Sequence, residues 1–186
     1  MNFEQVYALA DRSSSECAFN QGECLALYNL LRTLPYKAVV VEIGVQFGRS
    51  TTVIGAVAKE LDFEFTAIDN WSGEEGQQQK EHIEKLLIGE FELPINLVSS
   101  DSAEACKYFH REIDLIHIDG DHEYEAVMLD MRLWLPKLKS GGYVCFDDYG
   151  HDSLPDVYRA VSEYIKEEDY RFIGRYGEKL GIFKKL

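Results

Sequence analysis

The segment from Glu42 to Ser50 has residue types and a spacing that suit the binding of a small charged ligand. An apolar run ends in Glu42, turns through Gly44 and Gly48, and continues beyond Ser50 in a helical pattern. Glycines let the backbone approach a ligand where a Cβ atom would clash, and the start of the following helix offers free N–H groups. The spacing E-x-G-x-x-x-G-x-S is not the G-x-G-x-x-G of a nicotinamide site, so it favours S-adenosylmethionine over a dinucleotide.

Acidic residues lie at or just after the end of each central apolar run, where ligands bind in open α/β sheets. Asp69 could accept hydrogen bonds from a ribose diol or cap the next turn. Asn70 and Trp71 follow it and belong to the same predicted cofactor contact, although Trp71 could instead cover the sheet edge. Asp101, with Ser102, could contact an adenine amino group or cap a helix.

A second group of polar residues combines Asp119 with Asp147 and Asp148. Neighbouring parallel strands lie about 4.8 Å apart, so these carboxylates can converge on one point. Crowded carboxylates raise one another's pKa unless a cation is present, and oxygen ligands suit magnesium or calcium. The pattern therefore favours a metal site at these three residues. In the alternative, Asp148 caps a turn and Asp147 accepts hydrogen bonds from backbone N–H groups.

His122 is the candidate general base, three residues after Asp119, which is the other candidate catalytic residue and is also predicted to contact the cofactor. An imidazole titrates near neutral pH, and a helix N-terminus would lower its pKa and keep it neutral. Asp121 is the rival base. His117 alternates inward on a predicted strand, which is typical of a buried core histidine.

The order of apolar runs and helical patterns predicts how these residues are positioned. Residues 1–36 predict a cap of two short helices, and residues 37–186 predict strands that alternate with helices, all in one domain. Such alternation is typical of an α/β fold with a Rossmann-like, doubly wound sheet covered on both faces. Two short runs within 170–183 predict a closing antiparallel hairpin. The polar stretch 72–82 predicts a surface loop, with a lid over the site as the alternative.

Composition limits the class of partner. The chain has 19 basic and 33 acidic residues and a net charge of −14, which repels nucleic acids and anionic membranes. We therefore expect a small-molecule partner. The cysteines form no C-x-x-C pair, and the first residues lack the pattern of a signal peptide, so we expect a cytoplasmic protein. The cysteines are Cys17, Cys24, Cys106 and Cys145. An apolar face on the N-terminal helices could form a homodimer or cover the protein's own sheet.

The chain resembles class I S-adenosylmethionine-dependent methyltransferases over roughly residues 38–184. It is most similar to a small bacterial group, related to the macrocin-type O-methyltransferases, with the motif IDGDHxYxxVxxDxxxWxPxLxxGGxxxxDD. The matching positions are Ile118, Asp119, Gly120, Asp121, His122, Tyr124, Val127, Asp130, Trp134, Pro136, Leu138, Gly141, Gly142, Asp147 and Asp148. The resemblance implies a seven-stranded mixed sheet in the order 3-2-1-4-5-7-6, with the last strand antiparallel.

The resemblance also implies roles for individual residues. Those implied for the cofactor are Glu42, Gly44 and Gly48 beside its methionine part, Asp69 at its ribose, and Asp101 with Ser102 near its adenine. Macrocin and catechol O-methyltransferases bind magnesium at the ends of strands four and five, which correspond here to Asp119, Asp147 and Asp148. The catechol group has a lysine base where this chain has His122, so the identity of the base stays open.

The implied function is O-methylation of a small hydroxylated acceptor, such as a sugar or a diol, with metal assistance as an option. Two alternatives remain. One is a sugar or antibiotic hydroxylase on the same fold, because fold does not fix chemistry. The other is a non-catalytic module that binds the cofactor.

Overall fold

The computed structural model describes residues 1–14 and 19–186, so Cys17 lies outside the described residues. The helices are α1 (Phe3–Ser13), α2 (Gln21–Leu31), α3 (Arg49–Leu61), α4 (Gly73–Ile83), α5 (Ser102–Tyr108), α6 (Tyr124–Trp134) and α7 (Pro155–Tyr164). The strands are β1 (Val39–Ile43), β2 (Glu64–Asp69), β3 (Ile95–Ser99), β4 (Ile113–Ile118), β5 (Leu138–Phe146), β6 (Tyr170–Tyr176) and β7 (Leu180–Lys185). A π-helical segment, Glu84–Glu90, follows α4, and a 3-10 turn, Leu135–Lys137, follows α6.

The strands form one sheet in the order β3-β2-β1-β4-β5-β7-β6, which confirms the predicted topology. Strands β1 to β5 pair in parallel, and β7 runs antiparallel between β5 and β6. Every residue of β1 is buried. Inner strands covered on both faces read as continuous apolar runs, which is why the sequence predicted them well.

Helices cover the two faces of the sheet with two apolar cores. Helices α1, α2 and α3 contribute to one core, and α6 and α7 contribute to the other. Val6 of α1 and Leu27 and Leu31 of α2 are almost completely buried. Each such side chain stabilises the fold by about 1.5–3 kcal/mol. The apolar face of the N-terminal helices therefore covers the protein's own core, and a homodimer stays a prediction.

The polar stretch predicted as a surface loop is instead helical. Helix α4 covers most of it and continues into the π-helical segment. Ile83 and Leu87 are fully buried, and a Cβ atom at Gly48 would lie 2.9 Å from Leu87 Cδ2. The sequence pattern predicts a helix only over 79–91. The helix begins earlier, at Gly73, and its start was not predicted because residues 73–78 include no apolar side chain.

The described helices are short. The longest α-helix, α3, has 13 residues, and no helix within residues 1–14 and 19–186 is long and apolar enough to cross a membrane.

Candidate active site

Gly44 directly follows β1 and brings the glycine turn against the end of β4. Its φ is +86°, and a Cβ atom at this position would lie 1.9 Å from the carbonyl oxygen of Asp119. The backbone N–H of Gly44 donates to Ile68 O at 2.9 Å, and that of Asp119 donates to Ile43 O at 2.8 Å. Only glycine suits both the dihedral angle and the close approach. The turn therefore joins the carboxyl ends of β1, β2 and β4.

Asp69 at the end of β2 fixes the conformation of this turn. Its Oδ2 accepts hydrogen bonds from the N–H groups of Val45 and Gln46 at 2.9 and 3.1 Å, and its Oδ1 accepts one from Trp71 at 3.0 Å. A carboxylate has about four acceptor positions. Asp69 thus caps the backbone N–H groups of the turn, and about one acceptor position of its carboxylate is left for a ligand. Its contact with a ribose stays a prediction.

A cavity of about 590 Å³ opens at the carboxyl ends of β1, β2 and β4. This volume lies within the range of small-molecule and cofactor sites. The predicted cofactor residues that line it are Gly44, Asp69, Asn70, Asp101, Ser102 and Asp119. Asp121 and His122, the two candidate bases, line it as well. These predicted residues, although spread over the chain, therefore line one continuous cavity.

Four predicted cofactor residues do not line this cavity: Glu42, Gly48, Ser50 and Trp71. Gly48 and Ser50 instead form the packed start of α3, where Gly48 is the N-cap and Ser50 is buried. Trp71 is 1% exposed and belongs to the core beneath α4, so the structure favours the alternative in which it covers the sheet. Trp71 belongs to the same apolar core as Ile83, the last residue of α4.

Glu42 is also fully buried, and it forms hydrogen bonds inside the protein. Thr51 Oγ1 donates to Glu42 Oε2 at 2.6 Å, and His117 Nδ1 lies 3.2 Å from Glu42 Oε1. His117 is likewise fully buried, which agrees with its interpretation as a core histidine. Glu42 therefore connects β1 to α3 through Thr51 and to β4 through His117.

The end of the cavity beside α5 contains the buried carboxylate of Asp130, for which the sequence predicted no chemical role. Ser102 Oγ donates to Asp130 Oδ1 on α6, and Asp130 is only 5% exposed. Burial raises the pKa of Asp130 to about 6, although the hydrogen bond from Ser102 opposes the shift. Asp101 occupies the N-cap position of α5 but makes no capping hydrogen bond with its side chain, so its carboxylate is available to a ligand.

The strand register brings Asp119 and Asp147 together, as predicted. Ile118 pairs with Phe146, so each aspartate comes directly after a paired residue, and Asp147 N donates to Ile118 O at 3.0 Å. Burial and the neighbouring Asp147 carboxylate raise the pKa of Asp119 well above its usual value. Asp147 Oδ1 is buried with no hydrogen-bond partner among the described residues. A proton retained by Asp119 would supply a donor for that oxygen.

Lys179 provides a cation that the sequence analysis missed. Its Nζ donates to Asp147 Oδ2 at 2.9 Å and to Asp148 Oδ1 at 2.7 Å. Burial disfavours the charged lysine, but the two carboxylates outweigh this effect and raise the pKa of Lys179. The residue lies in the turn of the β6–β7 hairpin, directly after Gly177 and Glu178, where a lysine is usually solvated. No signal within the sequence links it to residues about thirty positions earlier.

Asp148 also contacts His122, whose Nε2 lies 2.9 Å from Asp148 Oδ2. Burial disfavours the Asp148 carboxylate, but the contacts with His122 and Lys179 outweigh burial and lower its pKa to about 2. The contact with Asp148 in turn raises the pKa of His122. The expectation that a helix start lowers this pKa is therefore wrong, because an anion at hydrogen-bond distance outweighs a partial helix charge.

These residues do not fit the predicted magnesium site. The ammonium of Lys179 is hydrogen-bonded to both Asp147 and Asp148, two of the three predicted ligands. Within the described ranges, the group whose ligand atoms lie within 4.8 Å of one another is Asp119, His122 and Asp148, without Asp147. Magnesium prefers oxygen ligands, and an imidazole nitrogen is not among its usual partners. Asp119, Asp147 and Asp148 thus form an acid cluster in which Lys179 contacts two of the three carboxylates, and magnesium binding there stays a prediction.

The position of Lys179 depends on how the hairpin turn docks on the start of α2. Asn20 Nδ2 donates to Gly177 O, and a Cβ atom at Gly177 would lie 2.3 Å from Glu23 N. Glu23 is fully buried and accepts a hydrogen bond from Asn20 N at 2.7 Å. Burial and the Asp147 carboxylate raise the pKa of Glu23 to about 7. The start of α2 therefore holds the turn that carries Lys179, and its buried Glu23 senses the charge of Asp147.

Solved structures of known proteins share this architecture. A TDP-rhamnose 3'-O-methyltransferase of calicheamicin biosynthesis has a TM-score of 0.64 and 21% identity, over 87% of this chain and 76% of that chain. A Staphylococcus aureus protein described as a "putative caffeoyl-CoA O-methyltransferase" has a TM-score of 0.71 and 18% identity, over 100% and 93%. An rRNA methylase from Streptococcus thermophilus has a TM-score of 0.64 and 14% identity, over 87% and 95%. Identities this low establish the fold and leave the acceptor open.

Matches to curated proteins are more limited in length. Uncharacterized protein R132 of Acanthamoeba polyphaga mimivirus is 37% identical over 78 residues, which are 37% of this chain and 35% of that protein. Uncharacterized protein y4gI of Sinorhizobium fredii (strain NBRC 101917 / NGR234) is 28% identical over 126 residues, which are 59% of this chain and 13% of that protein. The chain thus spans about a third of the first relative and far less of the second.

A protein-family model gives the most direct assignment. The model described as a methyltransferase domain matches residues 41–149, which extend from β1 to the turn after β5 and make up more than half of the chain. This range includes the glycine turn, the cavity and all three aspartates of the acid cluster. The chain belongs to the methyltransferase domain family, within the class I S-adenosylmethionine-dependent methyltransferases.

Proposed function

We propose that the protein transfers a methyl group from S-adenosylmethionine to a hydroxyl oxygen of a small acceptor such as a sugar or a diol. The observation that carries the proposal is the pair formed by His122 and Asp148. The imidazole lines the cavity, and its Nε2 lies 2.9 Å from Asp148 Oδ2. A base held by a carboxylate suits the removal of a proton from a hydroxyl group.

In this mechanism S-adenosylmethionine supplies a methyl group on a positively charged sulfur. The bond from the acceptor oxygen to the methyl carbon forms while the carbon–sulfur bond breaks, and S-adenosylhomocysteine leaves. His122 accepts the hydroxyl proton on Nδ1, the ring nitrogen that does not face Asp148. The Asp148 carboxylate stabilises the resulting imidazolium. The glycine turn and Asp69 hold the reactants in place, and such positioning supplies much of the rate acceleration.

The similar structures support an oxygen acceptor without identifying it. One is described as a TDP-rhamnose 3'-O-methyltransferase and another as a caffeoyl-CoA O-methyltransferase, whereas a third is described as an rRNA methylase. The net charge of −14 favours the first two types of acceptor over RNA, because an acidic surface repels a phosphate backbone.

The test is the formation of S-adenosylhomocysteine in the presence of a panel of sugars, nucleotide sugars and catechols. We expect one class of hydroxylated compound to give turnover. With that acceptor, His122→Gln should lower kcat by about 100- to 10,000-fold, the usual contribution of a general base, with S-adenosylmethionine binding unchanged. His110→Gln is the matched control, because His110 is exposed and outside the cavity lining. Turnover by His122→Gln at the wild-type rate would exclude this base, and methylation of nitrogen or carbon acceptors alone would exclude the O-methyl assignment.

A further inference from the structure

We propose that Lys179 is the built-in cation of the acid cluster: its ammonium holds Asp147 and Asp148 in place of a divalent metal and keeps Asp148 oriented toward His122. This inference rests on the proposed function, because it assigns a positioning residue to the same site. It also makes a separate statement, namely that the site neither requires a divalent cation nor binds one between these aspartates.

The ammonium group of Lys179 forms an ion pair with both Asp147 and Asp148. Lys179 Nζ lies 2.9 Å from Asp147 Oδ2 and 2.7 Å from Asp148 Oδ1, and the lysine side chain is 8% exposed. An ammonium group has three donors, and two of them are used here. A divalent ion coordinated by both aspartates would have to displace this group or lie beside it, and two cations in contact repel strongly at a buried position.

The two oxygens of Asp148 divide its contacts between two partners. Lys179 contacts Oδ1, and His122 Nε2 lies 2.9 Å from Oδ2. The lysine therefore fixes the plane of the carboxylate from one side, and the imidazole is oriented from the other. Lys179 does not line the cavity, so its effect on an acceptor would pass through Asp148 and His122.

The hairpin that carries Lys179 is itself held in place. Asn20 donates to the carbonyl of Gly177, and the Gly177 backbone contacts Glu23, whose side chain is fully buried. Because the turn is docked on α2, the ammonium reaches the aspartates from a preformed position. An ammonium held in this position fixes the Asp148 carboxylate, so little reorganisation is needed when positive charge develops on His122.

The first test compares manganese binding by calorimetry in the wild-type chain and in Lys179→Met. We expect the Kd for manganese to lie above the millimolar range in the wild type and to be at least tenfold lower in Lys179→Met, whose aspartates lack their cation. Lys139→Met is the matched control, because Lys139 forms a similar pair with Asp114, at 2.8 Å, away from the cavity. This control should not gain a metal site.

Wild-type turnover in the presence of EDTA is the second measurement, and it needs no variant. We expect S-adenosylhomocysteine to form at an unchanged rate. Micromolar manganese binding by the wild type, or loss of its turnover in EDTA that manganese restores, would overturn the proposal and leave the methyltransferase assignment standing. Absence of turnover under every metal condition would instead contradict the proposed function.

A third measurement separates positioning from mere stability. In the absence of added metal, Lys179→Met should lower kcat at least tenfold while the Kd for S-adenosylmethionine stays within twofold, and Lys179→Arg should recover part of kcat. If Lys179→Met does not fold, as judged by circular dichroism, Lys179→Arg and the EDTA experiment decide. A folded Lys179→Met with wild-type kcat, or with weaker cofactor binding alone, would contradict the positioning role.

Discussion

At the scale of single residues, the pKa values of neighbouring carboxyl groups shift in opposite directions because their immediate partners differ. Burial and the Asp147 carboxylate raise the pKa of Asp119 well above its usual value. Asp148 is also buried, but the contacts with His122 and Lys179 outweigh burial and lower its pKa to about 2. Groups whose environments push their pKa values apart can take different roles in one reaction. Here Asp148 is held as an anion beside His122, and Asp119 keeps its proton to a higher pH than an ordinary aspartate does.

Asp130 should make the stability of the protein depend on pH. Its pKa is about 6 in the folded chain and about 3.9 in an unfolded one. The folded state therefore binds more protons between these values, and the free energy of unfolding should fall as pH rises through this window. Asp130→Asn should match the wild type near pH 4 and be more stable at pH 7, by up to roughly 3 kcal/mol.

Urea denaturation of both proteins from pH 4 to pH 8 measures this difference. Asp101→Asn is the control, because Asp101 is exposed at the edge of the same cavity, and its curve should follow that of the wild type. If the free energies of unfolding of Asp130→Asn and the wild type run parallel over this range, Asp130 is not the buried titrating group.

Gly44 should be required for cofactor binding. An alanine here would have φ near +86° and a Cβ atom 1.9 Å from the Asp119 carbonyl oxygen, so the turn must move. We expect Gly44→Ala to weaken S-adenosylhomocysteine binding at least tenfold in equilibrium dialysis. Gly141→Ala has a similar φ of +80° with nothing within 4 Å of its Cβ position, so it should bind like the wild type. Equal binding by both variants would contradict the position of the cofactor beside this turn.

At the scale of elements, the contact between the β6–β7 turn and α2 delivers Lys179 to the acid cluster. Gly177 has φ of +63°, and its Cβ position lies 2.3 Å from Glu23 N. Gly177→Ala should displace the turn, lower the melting temperature and lower kcat. Gly73→Ala is the control that measures dihedral strain alone, because Gly73 has φ of +74° and nothing lies within 4 Å of its Cβ position.

The expected order in both thermal denaturation and turnover is wild type, then Gly73→Ala, then Gly177→Ala. Dihedral strain of this kind costs roughly 1 kcal/mol, so the displacement of the turn should add to that cost. A Gly177→Ala variant as active as Gly73→Ala would show that the docking of the turn does not control the site.

Elements were predictable from the sequence where burial imposed a pattern. The buried strands β1 and β4 are continuous apolar runs, so their existence and order followed from the sequence and from the family resemblance. The predicted helix over 79–91 corresponds to the end of α4 and the π-helical segment, but residues 73–78 were predicted as a loop because they are polar. The spacing of apolar residues from Tyr124 onward predicts a helix over 124–138, but α6 ends at Trp134, because Pro136 lies in a 3-10 turn that leads into β5.

At the scale of the whole molecule, the parallel strands explain why the candidate site was largely predictable. Their carboxyl ends lie at one edge, so residues as distant in sequence as Gly44, Asp101 and Asp119 line one cavity. Lys179 could not be predicted in the same way. It comes from the antiparallel hairpin, and its approach depends on the docking of that hairpin against α2, which no local pattern encodes.

The proposed function requires the cavity at the carboxyl ends of β1, β2 and β4 to bind S-adenosylmethionine. Calorimetric titration of the wild-type chain with S-adenosylmethionine, and separately with NAD as the comparison ligand, measures this binding. We expect one S-adenosylmethionine to bind per chain with a Kd on the order of micromolar, and NAD not to bind. Binding of NAD, or no binding of S-adenosylmethionine by a folded protein, would contradict it.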